Sequence, residues 1–289
     1  MERELWVRLY QLVMEVGQSL RLIDVTYQPH VIALVLLWAA LHDRPVRWAC
    51  QERNWSTTTL RPASIPSPST LSRRLRRLDT AMLMRSLVQR VRQEQDPRLV
   101  AAIDAKPLPI GGAGKDPEAR CGRGAGMWAR GYKLYTVWAG RAVPETYRVY
   151  PMNVSENKVA DEMIPDLTHG GYLLGDGEYD ANPVFEVAGA AGYQLLAPRE
   201  DPNAGLGHVR QSTYRLRCID LMRSPFGREV FKLRGAIERG YGSLTAFGCG
   251  LSPLPAWVRH QNRVWLWVTA KLLINAERMQ LNQAEGVAA

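Results

Sequence analysis

Residues Leu99 to Ile110, Leu-Val-Ala-Ala-Ile-Asp-Ala-Lys-Pro-Leu-Pro-Ile, constrain this chain more than any other stretch. Five apolar residues run without alternation into Asp104, the pattern of a strand buried on both faces that ends at a polar site. An ionised carboxylate there is costly unless positive charge meets it, and a divalent cation is the usual way for several carboxylates to be met together. Acids at strand ends also cap turns, so the weight of Asp104 depends on the partners the rest of the chain supplies.

A second apolar run, Tyr172-Leu173-Leu174-Gly175, ends in Asp176. A helix from about Asn182 to Ala191 and a strand over Tyr193 to Ala197 follow, a strand-helix-strand unit whose strands should be parallel, with Asp176 at the carboxyl end where open sheets keep their sites. Glu178 and Asp180 rank below it because they lie past the strand end. A late helix over Arg228 to Phe247 carries a buried stripe of Val230, Leu233, Ile237, Tyr241 and Leu244, with Glu238 at its edge one turn beyond Arg234. An Arg and a Glu four apart are often only a surface pair. Gly240 and Gly242, each costing a helix about 1 kcal/mol relative to Ala, point to something approaching this helix closely.

Between these acids, Gly111 to Gly126 reads as a Gly-rich loop without the Ser or Thr that a phosphate-binding Gly-Lys motif needs. Tyr132 to Trp138 and Thr146 to Tyr150 read as strands that form an antiparallel meander with Leu99 to Ala105. Ser155 opens a short helix ending near Pro165. Arg199 to Arg228 reads as a long connector whose Arg210, Arg215, Arg217 and Arg223 suit backbone contacts or simply solvent. Trp257, Trp265 and Trp267 read as part of a closing helical layer.

The first third of the chain is different. Residues 1–98 hold 15 Arg, no Lys and 9 acids, so that two-thirds of the net charge of +9 lies there. Such a surplus favours a polyanionic partner. Helices are expected over residues 3–21, His30 to His42, Pro68 to Asp79 and Ala81 to Gln95, with Ser67 capping the third and Pro68 at its first position. Leu71, Leu75 and Leu78 form one face of that helix, leaving Thr70, Arg73, Arg74, Arg76 and Arg77 to contact phosphates and base edges in a major groove, or to form a solvated face. Asp96-Pro97 marks the boundary between a helical domain, 1–97, and an α/β domain, 98–289. The scattered Cys50, Cys121, Cys218 and Cys249 match neither a zinc site nor a disulfide framework. The first residues lack a signal-peptide layout, and no apolar run is long enough to span a bilayer, which together predict a cytoplasmic protein, nucleoid-associated where its polyanionic partner is DNA.

The set Ile103-Asp104, Leu174-Gly175-Asp176-Gly177-Glu178-Tyr179-Asp180 and Arg234-x-x-x-Glu238-Arg239 resembles the DDE-class transposases of bacterial insertion sequences. The order is similar too: an acid on the first strand, one after the fourth, and a glutamate on a late helix. The resemblance covers residues 99–275, and Pro66 to Leu78 resembles the helix-turn-helix region preceding the catalytic domain in some members. It implies a ribonuclease-H-like mixed sheet flanked by helices, two Mg²⁺ or Mn²⁺ ions, and cleavage and strand transfer at the ends of an insertion sequence. Asp104 would bridge the ions, with Asp176 on one and Glu238 on the other, while Arg234 orients Glu238 or joins Arg239 in contacting DNA. The implied partners are double-stranded DNA, both element ends and target, and at least one further copy of the chain, with no membrane. Phe231 and Thr245 stand where many relatives carry Tyr and Lys. The same residues fit two other functions: a sequence-specific DNA-binding protein without catalysis, and a metal-dependent nuclease that never joins strands.

Overall fold

The computed structural model describes the chain except for residues 1, 21, 24, 56–59, 94–97, 112–114, 125, 246–249, 252–253, 285 and 287–289, and the side chains of 236–238. The Asp96-Pro97 boundary and the Ile237 and Glu238 side chains therefore lie outside the described residues. The chain forms two compact units: residues 1–95, 110–118 and 243–289, and residues 96–109 and 119–242. The last 47 residues, read from sequence as the end of the second domain, belong to the first unit.

The first unit is helical. Helix α1 (Glu2–Gln18) buries Leu5, Trp6, Leu9 and Val13 at three- and four-residue steps. Helix α2 (Pro29–Leu41) is apolar all round and buried along its length, as such a composition requires. A short α3 (Val46–Ala49) precedes α4 (Pro68–Arg74), where the Ser67 hydroxyl accepts from the Thr70 N–H at 3.3 Å. Here the sequence expectation needs correcting: the helix stops at Arg74, and α5 (Leu78–Gln93) begins three residues before the expected start. The break takes Leu78 out of the apolar face, where it is 69% exposed.

The second unit is built on a six-stranded mixed sheet in the order β2-β3-β1-β5-β6, with β4 also paired to β3. Strand β1 (Val100–Pro109) runs antiparallel to β3 (Met127–Trp138), which pairs antiparallel with β4 (Thr146–Pro151), giving the expected meander. The Gly111 to Gly126 reading fails in part, because Arg120–Gly124 forms β2, antiparallel to the start of β3. Helix α6 (Glu156–Met163), capped by Ser155, leads to β5 (Gly171–Leu174), then α7 (Asn182–Ala190) and β6 (Tyr193–Leu196). Strands β5 and β6 are parallel, as the strand-helix-strand pattern predicts, and β1 is parallel to β5 as well. Gly171 takes φ +127, and a Cβ there would stand 2.1 Å from the Leu99 carbonyl oxygen, so only glycine lets β5 meet β1 at this point.

Two further corrections concern the chain after β6. The expected connector holds helix α8 (Thr213–Arg223), which packs on β6 and buries Cys218. The expected late helix is broken into α9 (Pro225–Lys232) and α10 (Gly235–Thr245), with Leu233 51% exposed at the break instead of in the stripe. Helix α11 (Gln261–Ala284), which follows, packs on α1, α2 and α5 of the first unit, and Trp267 is buried on it. No helix of the described residues is long and apolar enough to cross a membrane.

Candidate active site

Strand register brings Asp104 and Asp176 together. β1 pairs with β5 only from Val100 to Ala102, the last pair being Ala102 with Leu174. Asp104 lies two residues beyond Ala102 and Asp176 two beyond Leu174, so the acids occupy equivalent positions where the two parallel strands part. β1 does not end at its acid as expected; it continues to Pro109 against β3 alone. Beyond Ala102 its other edge has no strand beside it in the described sheet, which is where Pro107 and Pro109 are tolerated.

The two carboxylates are held alike. Asp104 Oδ1 accepts the N–H of Ala105 at 2.8 Å, and Asp176 Oδ1 accepts that of Glu178 at 3.0 Å. Their Oδ2 atoms both face Arg234 Nη2, at 3.9 and 4.0 Å. These distances are too long for hydrogen bonds, so the guanidinium acts as a shared counter-ion. Arg234 occupies the break between α9 and α10 because the helix stops there.

Helix α10 is fixed to the same place. The Tyr241 hydroxyl is buried, donates to the Asp104 carbonyl oxygen at 3.0 Å and lies 2.7 Å from Thr136 Oγ1, whose residue is the β3 partner of Asp104. Gly240 permits this contact: a Cβ there would sit 3.1 Å from the Trp138 ring, the close approach expected from sequence. Among the described residues, no such neighbour lies within 4 Å of the corresponding position at Gly242. Glu238 lies on α10 three residues before Tyr241.

One acid at this site escaped the sequence reading. Glu156, at the start of α6, is largely buried, pairs with Lys133 at 3.1 Å and accepts from the Tyr179 hydroxyl at 3.0 Å. Its only sequence signal is that of any acid favoured in a first helical turn. Burial, with the charges of Glu156 and Asp176, outweighs the Ala105 N–H and Arg234 and raises the Asp104 carboxyl from 3.8 to about 6. Burial likewise pushes Glu156 up, against the pull of Lys133. The carboxylates present hard oxygen donors, which suit Mg²⁺ or Mn²⁺. Among the described residues no three His, Cys, Asp or Glu side chains form a metal-holding group; Asp104 and Asp176 form the pair to which a third ligand would be added.

Other predicted positions divide clearly. Asp180 is spent on a two-point ion pair, accepting from Arg215 Nε at 2.7 Å and Nη2 at 2.6 Å, and Glu178 is exposed. Arg239 is exposed on α10. In the first unit Arg73 and Arg76 are exposed on and just after α4, and Thr70 is half-buried. Arg74 is buried against Asp79 at 3.4 Å, and Arg77 pairs with the same carboxylate at 3.0 Å. Arg74 is thereby taken out of the exposed set expected to face DNA, while Arg77 stays exposed beside Asp79. Compared with protein-family models, curated proteins and solved structures, the chain matches none.

Proposed function

We propose that the chain is a DNA transposase of the DDE class, cutting DNA at the ends of an insertion sequence and joining those ends to a target. The observation that carries this reading is the placement of Asp104 and Asp176 each two residues past the last β1–β5 pair, both facing Arg234, with α10, the helix of Glu238, fixed to the backbone of Asp104 by Tyr241. The antiparallel meander followed by two parallel strands supports a ribonuclease-H-like core, with β5 as the fourth strand once the short arm β2 is set aside. The Ser67-capped α4 followed by α5 supports a helix-turn-helix-like contact with duplex DNA.

Asp104, Asp176 and Glu238 would hold two divalent ions, which when bound supply an activated water or 3′-hydroxyl and stabilise the leaving oxygen. The chain's own residues prepare the site. The Ala105 and Glu178 N–H groups fix one oxygen of each aspartate and leave the other directed into the site. Glu156 holds the Tyr179 hydroxyl, anchoring the turn that Asp176 opens. Arg234 balances the two aspartates and lies within reach of a phosphate brought to them. Two DNA ends need two active sites, so the protein would act as a dimer or larger assembly.

The test is nicking of DNA that carries the sequences flanking this gene, with purified full-length protein and Mg²⁺. Cleavage at the element ends followed by joining to a second duplex is expected, and Asp104→Asn, Asp176→Asn and Glu238→Gln should each abolish it while leaving DNA binding intact. Cleavage without joining would make the protein a nuclease; binding without cleavage under any metal condition would make it a DNA-binding protein alone.

A further inference from the structure

Several basic side chains of the first unit are matched to acids: Arg8 with Glu277, Arg61 with Glu52, Arg74 and Arg77 with Asp79, and Arg90 with Glu15. Of those that are not, four are set apart by their place around α4 and the start of α11. Arg47 on α3, Arg76 after α4, Arg259 before α11 and Arg263 in the first turn of α11 have no carboxylate within 4.0 Å among the described residues, although they come from three separate parts of the chain.

Three of them, Arg47, Arg259 and Arg263, line one cavity of about 550 Å³ with an apolar floor that includes Leu36, Val258 and Trp267. Trp257, 41% exposed, forms part of its wall. Ser72 of α4 lines the same cavity and accepts a hydrogen bond from Arg263 Nη2. Asn262 in the first turn of α11 donates to the Leu75 carbonyl oxygen at 3.1 Å, which sets Arg76, the next residue, beside this group; burial and then the Arg76 charge hold the Arg263 guanidinium below its ordinary value. Two acids that meet the start of α11 are engaged there: Asp116 accepts the His260 N–H at 2.9 Å, and Glu118 accepts the Gln261 N–H at 2.7 Å and pairs with His260. A cleft with walls of low dielectric and charges of one sign concentrates its field outward and needs an anion to offset the repulsion inside it.

We propose that Arg47, Arg259 and Arg263, together with Arg76, form a phosphate-binding track for the sugar-phosphate backbone of duplex DNA, adjoining α4. The inference deepens the DNA-binding part of the function proposed above and rests on it. The track supplies positive charge beside α4 that Arg74, buried against Asp79, does not. It also assigns the segment just before α11, more than 180 residues further along the chain, to the same interface. Contacts of this kind position a protein on DNA without reading sequence.

The experiment is fluorescence anisotropy of full-length protein on a short random-sequence duplex over a range of salt concentrations. Arg47→Ala, Arg259→Ala and Arg263→Gln should each flatten the slope of log affinity against log salt by about 0.9. In terms of affinity, the loss on raising salt fourfold should then be about threefold smaller per variant. Arg3→Ala, which removes the same charge from the exposed face of α1, should leave the slope unchanged. Should the exposed variants Arg47→Ala and Arg259→Ala retain the wild-type slope, or Arg3→Ala flatten it equally, the track is wrong while DNA binding stands. Failure of the wild type to bind any DNA would overturn both the track and the transposase reading. Loss of binding to anionic lipid vesicles with unchanged DNA binding would reassign the cleft to a membrane surface.

Discussion

Replacing Asp104 by Asn should make the metal-free protein more stable at neutral pH while destroying the proposed activity. The folded carboxyl takes up its proton near pH 6, against 3.8 for an ordinary aspartate, a gap of about two pH units or ~3 kcal/mol. With only 21% of the side chain exposed, little of this is screened away. The amide keeps an acceptor for the Ala105 N–H but gives up the attraction of Arg234, which brings the expected net gain to roughly 1–3 kcal/mol. The sign follows from proton counting. Between about pH 4 and 6 the folded state binds more protons than the unfolded state, so wild-type stability falls as pH rises through that window. Above it the penalty is complete; below it both states are protonated and the penalty is gone. Urea unfolding in the presence of a chelator should therefore show Asp104→Asn ahead of wild type at pH 7–8, with the two converging toward pH 4. Saturating Mg²⁺ should narrow the gap by stabilising wild type alone. A difference that is independent of pH, or a variant less stable than wild type at pH 8, would refute the reasoning.

Asp180→Ala removes the partner of Arg215 in a largely buried two-point pair and should cost roughly 2–4 kcal/mol in denaturant unfolding, while the metal concentration needed for half-maximal nicking stays unchanged. Gly171→Ala forces a side chain into φ +127 against the Leu99 carbonyl; it should lower stability by at least about 2 kcal/mol, and a neutral result in thermal unfolding would contradict the β1–β5 register. Tyr241→Phe leaves Thr136 and the Asp104 carbonyl without that hydroxyl and should cost about 1–3 kcal/mol, with a fall in the nicking rate measured at temperatures where the variant remains folded.

The features legible in the sequence are those written into local chemistry. Ser67 and Ser155 announced their helices because a hydroxyl before an exposed N–H is a local signal. The β5-α7-β6 unit was legible because apolar runs and a crossover helix leave one sensible arrangement. Gly240 announced close packing because it weakens a helix that otherwise has no use for it. Strand β2 was hidden because Arg-Cys-Gly-Arg-Gly has no strand propensity of its own and takes its form from pairing with β3. The break at Leu233 and Arg234 was hidden because the apolar spacing of Val230, Leu233 and Ile237 continues across it. The position of Arg234 against both aspartates, and the diversion of Arg74 to Asp79, follow from chain breaks of this kind. Helix α8 carries no clear signal in the sequence because its hydrophobic face is thin, with Cys218 its buried residue. Glu156 reaches the site through the packing of α6 on the sheet, which no spacing along the chain encodes.

The measurement that bears most directly on the central claim is a Mn²⁺ titration by calorimetry, comparing wild type with Asp104→Asn, Asp176→Asn and Glu238→Gln. Saturable binding of two ions per chain in the wild type, lost or weakened at least tenfold in each variant and weakening as pH falls through about 6, is the expected result. Wild-type protein that takes up no Mn²⁺, or variants that bind it as wild type does, would contradict the assignment of these acids to a catalytic metal site.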